Sequence, residues 1–319
     1  MIRIFRLAST AALVITVSAH ADAAVIGAGQ ILTSFNVVTT GNLSTTADIE
    51  GPAVIGGNLS GSGTFFSYGL PLAATFSSYG SVNIYGSAGS ASYNANGLSV
   101  KVAGAASGAS FSGAAAISYL NSFPYTISDF WTPMTTLSTA LAGLASTGGS
   151  LPAANSNNAV LTAAPTTVGG YANVAVINIS AALLGSYTGI SVNLNGASTV
   201  VINVTGNFSG GPNMQNQAAW RSNVIWNFVN ATSLSFPQGW DGTVLAPNAA
   251  VINNNAMEGG LAAASFTGNG ELHYVPFTGS TSFLTAYGTS TPTPEPASLA
   301  LLASGLLGLA GLRRKASRR

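Results

Sequence analysis

Cysteine is absent from this 319-residue chain. Disulfides, thiolate metal sites and cysteine nucleophiles are excluded with it, so stability must come from burial and backbone hydrogen bonds. Charge is scarce as well: charged residues make up 5% of the sequence, against about a quarter in a typical soluble domain. Seven of the nine cations sit at the two ends, as Arg3 and Arg6, then Arg313, Arg314, Lys315, Arg318 and Arg319. Between residues 25 and 291 the chain keeps Lys101 and Arg221 against Asp48, Glu50, Asp129, Asp241, Glu258 and Glu271, a net of −4. Two cations cannot neutralise a row of phosphates, which excludes nucleic acid as a partner. A hydrophobic content of 47% and a mean hydropathy of +0.41 exclude a charge-rich disordered chain. No apolar run of about 18 residues lies in the body, which excludes multiple membrane spans there. What remains to face solvent is Ser, Thr, Asn, Gly and aromatic groups.

The ends read as addresses. Arg3 and Arg6, an apolar stretch over residues 7–19, and Ala19-His20-Ala21 have the order of a secretory signal peptide, expected over residues 1–23 and implying the Sec machinery and signal peptidase as partners. Cleavage after Ala21 or Ala23 removes His20 with it. At the far end, Pro294-Glu295-Pro296 precedes residues 298–312, apolar apart from Ser298, Ser304 and glycines, and then Arg313, Arg314 and Lys315. A helix of that length rises about 22 Å, short of a roughly 30 Å hydrocarbon core unless its arginines snorkel. The expectation is a short C-terminal hydrophobic helix inserted transiently in the inner membrane, basic end in the cytoplasm.

The body, residues 24–290, shows short β-branched and aromatic stretches broken by Gly, Asn or Ser, such as 53–55, 81–85, 98–102, 174–179, 190–194, 199–204, 224–229, 243–245 and 250–252. Val200, Ile202 and Val204 alternate, as do Ile190, Val192 and Leu194, so each set shares a strand face. Gly41-Asn42-Leu43-Ser44 recurs as Gly57-Asn58-Leu59-Ser60, sixteen residues on, and as Gly206-Asn207-Phe208-Ser209. That interval is close to one coil of a narrow solenoid, and Gly and Asn suit its corners. The expected fold is mainly β, a β-solenoid or β-helix-like domain with one flanking α-helix; a β-sandwich uses the same turn chemistry and stays open. The helix is marked by Ile127, Phe130, Trp131, Met134, Leu137, Leu141, Leu144 and Ala145 at three- and four-residue steps. Ser128 or Thr132-Pro133 would start it and Gly148-Gly149 end it. Its stripe is expected to pack on the sheet as core. Residues 152–165, rich in Asn and Ala, read as a surface excursion.

Two resemblances follow from these motifs. The Pro-Glu-Pro triplet, short Leu/Gly/Ala helix and arginine cluster resemble the PEP-CTERM sorting signal of Gram-negative bacteria, which implies an exosortase as partner. In the body, Asp48-Ile49-Glu50-Gly51-Pro52-Ala53-Val54-Ile55-Gly56-Gly57-Asn58 and Gly239-Trp240-Asp241-Gly242-Thr243-Val244-Leu245-Ala246-Pro247-Asn248-Ala249, with Gly270-Glu271-Leu272-His273, resemble the choice-of-anchor A family. That resemblance implies a secreted, β-rich surface protein and no established enzymatic activity.

Candidate chemistry is confined to a few residues. Asp48 and Glu50 are two apart, as are Glu271 and His273, so each pair shares a strand face. If the blocks meet, these four could gather around Ca²⁺ or serve as an acid/base pair. Otherwise the six body carboxylates look scattered, with Asp48 and Asp241 bonding turn amides near Gly51 and Gly242. No Gly-x-Ser-x-Gly elbow occurs and one histidine is left as a base, so no Ser/His/Asp set is assembled. Asn42, Asn58, Asn178, Asn203, Asn207 and Asn230 begin Asn-x-Ser/Thr triplets, read as turn chemistry rather than glycosylation sites. The expected function is an exported, exosortase-sorted surface or matrix protein, associated with biofilm exopolysaccharide and structural or adhesive rather than catalytic. The alternative is a carbohydrate-active enzyme on a β-helix. Ice binding would need Thr-x-Thr rungs, and none is visible.

Overall fold

The computed structural model describes residues 26–66 and 72–289. The expected signal peptide, the Pro-Glu-Pro triplet and the expected C-terminal hydrophobic helix lie outside them.

Alternating apolar residues build short strands, and Gly and Asn turn the chain between them. One ladder runs through Thr166–Val168, Tyr171–Ser180, Thr199–Thr205, Val224–Phe228, Thr243–Asn253, Leu261–Gly268, Val37–Thr39, Ala53–Ile55, Val82–Ile84, Ser99–Val102 and Ala116–Tyr119. Its pairs are parallel except the first, where Thr166–Val168 runs antiparallel to Tyr171–Ser180. Parallel pairing of successive coils argues against a sandwich, whose sheets are antiparallel. The domain is mainly β with helices and resembles a β-solenoid.

Several coils also contribute strands to two further faces. The second stacks Phe208–Ser209, Ser233–Phe236, residues 250–253, residues 265–268, Leu43–Thr45 and Leu59–Gly61. The third, made of two separate three-stranded sheets, stacks Ala159–Thr162, Gly189–Asn193 and Asn213–Met214, and beyond them Trp240–Asp241, Met257–Glu258 and Leu272–His273. Bridges at Ile49, Phe65 and Thr64 carry it to Ser92–Asn94 and Ser110–Ser112. Residues 152–165 are therefore no mere surface excursion, since Ala159 and Leu161 are fully buried.

Stacking order departs from chain order. The first coil pairs with the last, Val37 beside Leu261, and the chain then descends to Ala116–Tyr119. It returns past the stack through a helix over Ile127–Ala142 and resumes at the opposite end. Four helices are found among the described residues where one was expected: α1 (Ala28–Ser34), α2 (Ile127–Ala142), α3 (Ala181–Ser186) and α4 (Thr281–Gly288). The other three span at most eight residues, too short for a 3.6-residue period to stand out from the strand pattern.

Helix α2 starts earlier and stops sooner than expected. The Thr126 hydroxyl accepts from Asp129 N–H while the Asp129 carboxylate accepts from Thr126 N–H, a reciprocal cap. Pro133 lies inside the helix, and Gly143 ends it. Phe130, Met134, Leu137 and Leu141 are fully buried against Val176, Val201, Ile225 and Leu245 on the outer side of the first ladder, so the stripe is core. An amide row fastens it: Asn203 donates to Asn178 Oδ1 and Leu141 O, and Asn227 donates to Asn203 Oδ1 and Ser138 O. Ser138 Oγ lies 2.6 Å from Asn227 Oδ1.

The inner row of the second ladder is Phe208, Leu234, Val251, Phe266, Leu43 and Leu59, all buried. Each contributes about 1.5–3 kcal/mol of burial. The repeated Gly-Asn corners are held by the asparagines themselves: Asn42 Oδ1 accepts from Asn58 N–H, Asn58 Oδ1 from Ser87 N–H, and Asn207 Oδ1 from Thr232 N–H. The repeat marks stacked corners of neighbouring coils.

Candidate functional site

Ile49 bridges Leu272 in parallel register, so the two blocks that carry the candidate carboxylates do meet. Trp240, Met257, Leu272 and Ile49 form the inner row of the third ladder, and the residues that follow them, Asp241, Glu258, His273 and Glu50, form the adjoining outer row. His273 Nδ1 lies 2.8 Å from Glu258 Oε1, and Nε2 lies 2.7 Å from Glu271 Oε2 and 3.9 Å from Glu50 Oε1. Arg221 lies 2.6 Å from Glu258 Oε2 and 3.8 Å from Asp241 Oδ1. Glu50 also accepts from Tyr274 N–H. Asp48 holds the register position beside Glu271, and its carbonyl accepts from Leu272 N–H.

The body carboxylates are therefore not scattered: Asp48, Glu50, Asp241, Glu258 and Glu271 lie on one face, and Asp129 caps α2. The expected turn bonds are corrected as well. Gly51 N–H is held by Asn36 Oδ1 and Gly242 N–H by the Glu258 carbonyl. Glu258 and Arg221 were missed as members of this row. The available signal was the recurring pair of an apolar residue and a charged one at Ile49-Glu50, Trp240-Asp241, Met257-Glu258 and Leu272-His273.

Burial pulls the His273 imidazole down, but hydrogen bonds to Glu258 and Glu271 and the charges of Glu50 and Glu258 outweigh it, leaving its pKa raised. Burial pushes Asp241 up to about 6; Glu258 adds to the rise, and Arg221 and His273 partly offset it. Oδ1 of Asp241 is buried without a hydrogen bond among the described residues. A protonated His273 donates from both nitrogens and has no lone pair for a metal. No group of three or more His, Asp or Glu among the described residues is disposed to hold a metal ion.

The outer side of the second ladder is the opposite in character. One row reads Ser209, Ser235, Ile252, Thr267, Ser44 and Ser60, strand by strand, and the adjacent row includes Ser233, Ala250 and Ser265. All are exposed or half-buried, none is charged, and successive members are about 4.7–4.9 Å apart by strand spacing. There are no Thr-x-Thr rungs, yet small-x-small rungs repeat in register. A cavity of about 500 Å³ lies between α1 and α4, lined by Gln30, Thr33, Tyr171, Thr281, Ser282 and Thr285, among others. Another of about 380 Å³ lies beside Thr135 and Thr139 on α2. Neither is lined by a carboxylate or an imidazole.

A coil-stacked β domain with one internally paired charge row and one uncharged row open to solvent is suited to adhesion. The chain belongs to the family described as "Putative Ice-binding-like adhesive domain", whose model matches residues 28–274. A model of the PEP-CTERM protein-sorting motif matches residues 292–315, a span that contains Pro294, Glu295, Pro296, Arg313, Arg314 and Lys315. The expected choice-of-anchor A membership is thereby corrected. No curated protein matches. Among solved structures, the ice-binding protein of the Antarctic ascomycete Antarctomyces psychrotrophicus is 12% identical, with 78% of this chain and 98% of that chain covered and a TM-score of 0.33. The protein is an exported, exosortase-sorted surface domain with a non-catalytic, adhesive role. Transient tail anchoring in the inner membrane is not retained: no helix among the described residues is long and apolar enough to cross a membrane, and residues 298–312 lie outside them.

Proposed function

We propose that the adhesive surface is the outer side of the second ladder and that it docks an extended neutral polysaccharide of the extracellular matrix. The observation that carries this is the uncharged row from Ser209 to Ser60, in register across six strands. Hydroxyls at strand spacing offer repeated donors and acceptors to sugar hydroxyls, and Ile252, 41% exposed, adds an apolar contact. In this reading residues 24–290 form a β-solenoid delivered by a signal peptide at 1–23 and sorted through residues 291–319, with Pro294-Glu295-Pro296 as the exosortase recognition triplet.

Ser44→Lys places a charged side chain within the row, between Thr267 and Ser60, without entering the core. It should lower retention on the producer's purified exopolysaccharide at least tenfold and leave the melting temperature unchanged; equal retention would remove this face from the proposal. The family description favours a second reading, that the ordered surface is ice. It predicts thermal hysteresis abolished by the same substitution, with no retention on polysaccharide. Sorting is tested separately: deleting residues 294–319 should leave a folded domain that no longer reaches its surface location, and unchanged localisation would overturn the role of the triplet.

A further inference from the structure

The described coils form two runs, residues 37–119 and residues 159–273, and the runs meet where the first coil of the chain packs on the last. On the first face of this seam Val37 lies beside Leu261, and on the second Leu43 lies beside Phe266. Those contacts are apolar and indifferent to pH. The third face is built from charge. Ile49 bridges Leu272, Glu50 N–H donates to the Leu272 carbonyl, and Leu272 N–H donates to the Asp48 carbonyl. Around that bridge Asp48 and Glu50 come from the first coil, and Glu271 and His273 from the last. Of the two side chains that can carry positive charge in this row, Arg221 pairs with Glu258 and Asp241, both within residues 159–273. Only His273 forms an ion pair across the seam among the described residues, with Glu50 at 3.9 Å.

The imidazole is gripped from both sides. Nδ1 lies 2.8 Å from Glu258 Oε1 and Nε2 2.7 Å from Glu271 Oε2. Imidazolium donates from both nitrogens, whereas a neutral ring keeps one N–H. In either neutral tautomer a nitrogen lone pair therefore faces a carboxylate oxygen, and one of the two contacts must break. The same proton supplies the positive charge between Glu50 on one run and Glu271 on the other. We propose that His273 is a proton-operated latch on the seam: protonated, it holds the corner around Glu50 against the last coil, and deprotonated, it lets that corner open while the apolar faces stay closed. Burial lowers the His273 pKa, but its hydrogen bonds to Glu258 and Glu271 and the charges of Glu50 and Glu258 leave it above the usual value. The latch is therefore closed below about 6.5 and opens as pH rises through the folded value. Asp48, Asp241, Arg221 and the Tyr274 phenol, which burial keeps neutral, are the other ionisable groups around it.

Amide exchange of the purified exported chain, followed by NMR at about pH 6 and about pH 9 and corrected for intrinsic rates, tests the latch. Protection of the Glu50, Leu272 and Tyr274 amides, which donate across the opening corner, should fall by roughly tenfold at the higher pH. The Leu261 and Phe266 amides donate to the Asn36 and Asn42 carbonyls across the same seam and should keep theirs. His273→Gln cannot take up the proton and should show the low protection at both pH values. Glu50→Gln keeps the histidine but removes the carboxylate across the seam, so its fall should be smaller. Equal protection at the two pH values, a fall that persists in His273→Gln or is undiminished in Glu50→Gln, or one shared equally by the Leu261 and Phe266 amides, overturns the proposal.

Discussion

The second and third ladders share one backbone plan, coils in parallel register with an apolar inner row, yet their outer rows differ completely. The third collects Glu50, Asp241, Glu258 and His273, with Glu271 and Arg221 alongside. The second carries no charge from Ser209 to Ser60. A stacked coil makes this separation possible, because each sequence position in the coil becomes a row on one face. Charges gathered in one row contact one another: Arg221 lies 2.6 Å from Glu258, and His273 lies 2.8 Å from Glu258 and 2.7 Å from Glu271. The uncharged row owes nothing to its neighbours and is free to meet a partner. Stability and adhesion should therefore be separable by face.

The largest expected effect is Arg221→Ala. Its guanidinium is the nearest cation to Asp241, whose side chain is 6% exposed. Removing it leaves a buried carboxylate beside Glu258 with only His273 to offset it, and about 1–3 kcal/mol of stability should be lost. Adding Asp241→Asn should recover part of that loss, and polysaccharide retention should not change. Denaturant melts of the two single variants and the double variant measure the coupling. A loss below about 0.5 kcal/mol, usual for an exposed pair, would mean that the row is no more than a solvated face.

Proton linkage gives the next effect. The folded-state pKa of Asp241 lies at about 6, above its unfolded value of about 3.9. The folded state thus holds this proton more tightly, and stability declines as pH rises from about 4 through 6. His273 is also raised, so its contribution is fully present below about 6.5 and is lost as pH climbs through the folded value. Both groups act in the same direction, and the melting temperature should be lower at pH 8 than at pH 6. His273→Gln should flatten the decline above about 6.5; an unchanged slope would assign it to other groups.

Local pattern carried a good part of this fold. The strands at 190–194 and 199–204 lie within a residue of where alternation places them, those at 53–55 and 98–102 where β-branched stretches place them, and the sixteen-residue step from Asn42 to Asn58 is a true coil, with Leu43 beside Leu59. Stacking order was illegible, because no local signal says that Val37 pairs with Leu261. That single pairing is why the carboxylates looked dispersed: Glu50 and Glu271 are far apart in sequence and meet only when the first coil docks on the last. Asn203 shows the same limit. Its Asn-x-Thr triplet reads as turn chemistry, yet it lies within Thr199–Thr205, 5% exposed, and fastens α2. Thr126 was missed as the cap because Ser128 and Thr132-Pro133 carry the same chemistry nearby.

The smallest effect probes the uncharged row itself. Thr267 sits beside Ile252 and Ser44 in register and is half-buried, with only solvent-side atoms at stake. Thr267→Ala removes one hydroxyl and one methyl from the face, so stability should stay within about 0.5 kcal/mol. If each rung contributes a net hydrogen bond of about 0.5–1.5 kcal/mol, retention on polysaccharide should fall by roughly two- to tenfold, well short of the loss from Ser44→Lys. Isothermal titration with a soluble fragment of the polymer separates the two scales. A Thr267→Ala loss as large as that of Ser44→Lys would locate the adhesive energy in a single pocket rather than a row. No loss at all, together with full loss for the charged variant, would show that the face works by shape and neutrality, with the hydroxyls contributing little.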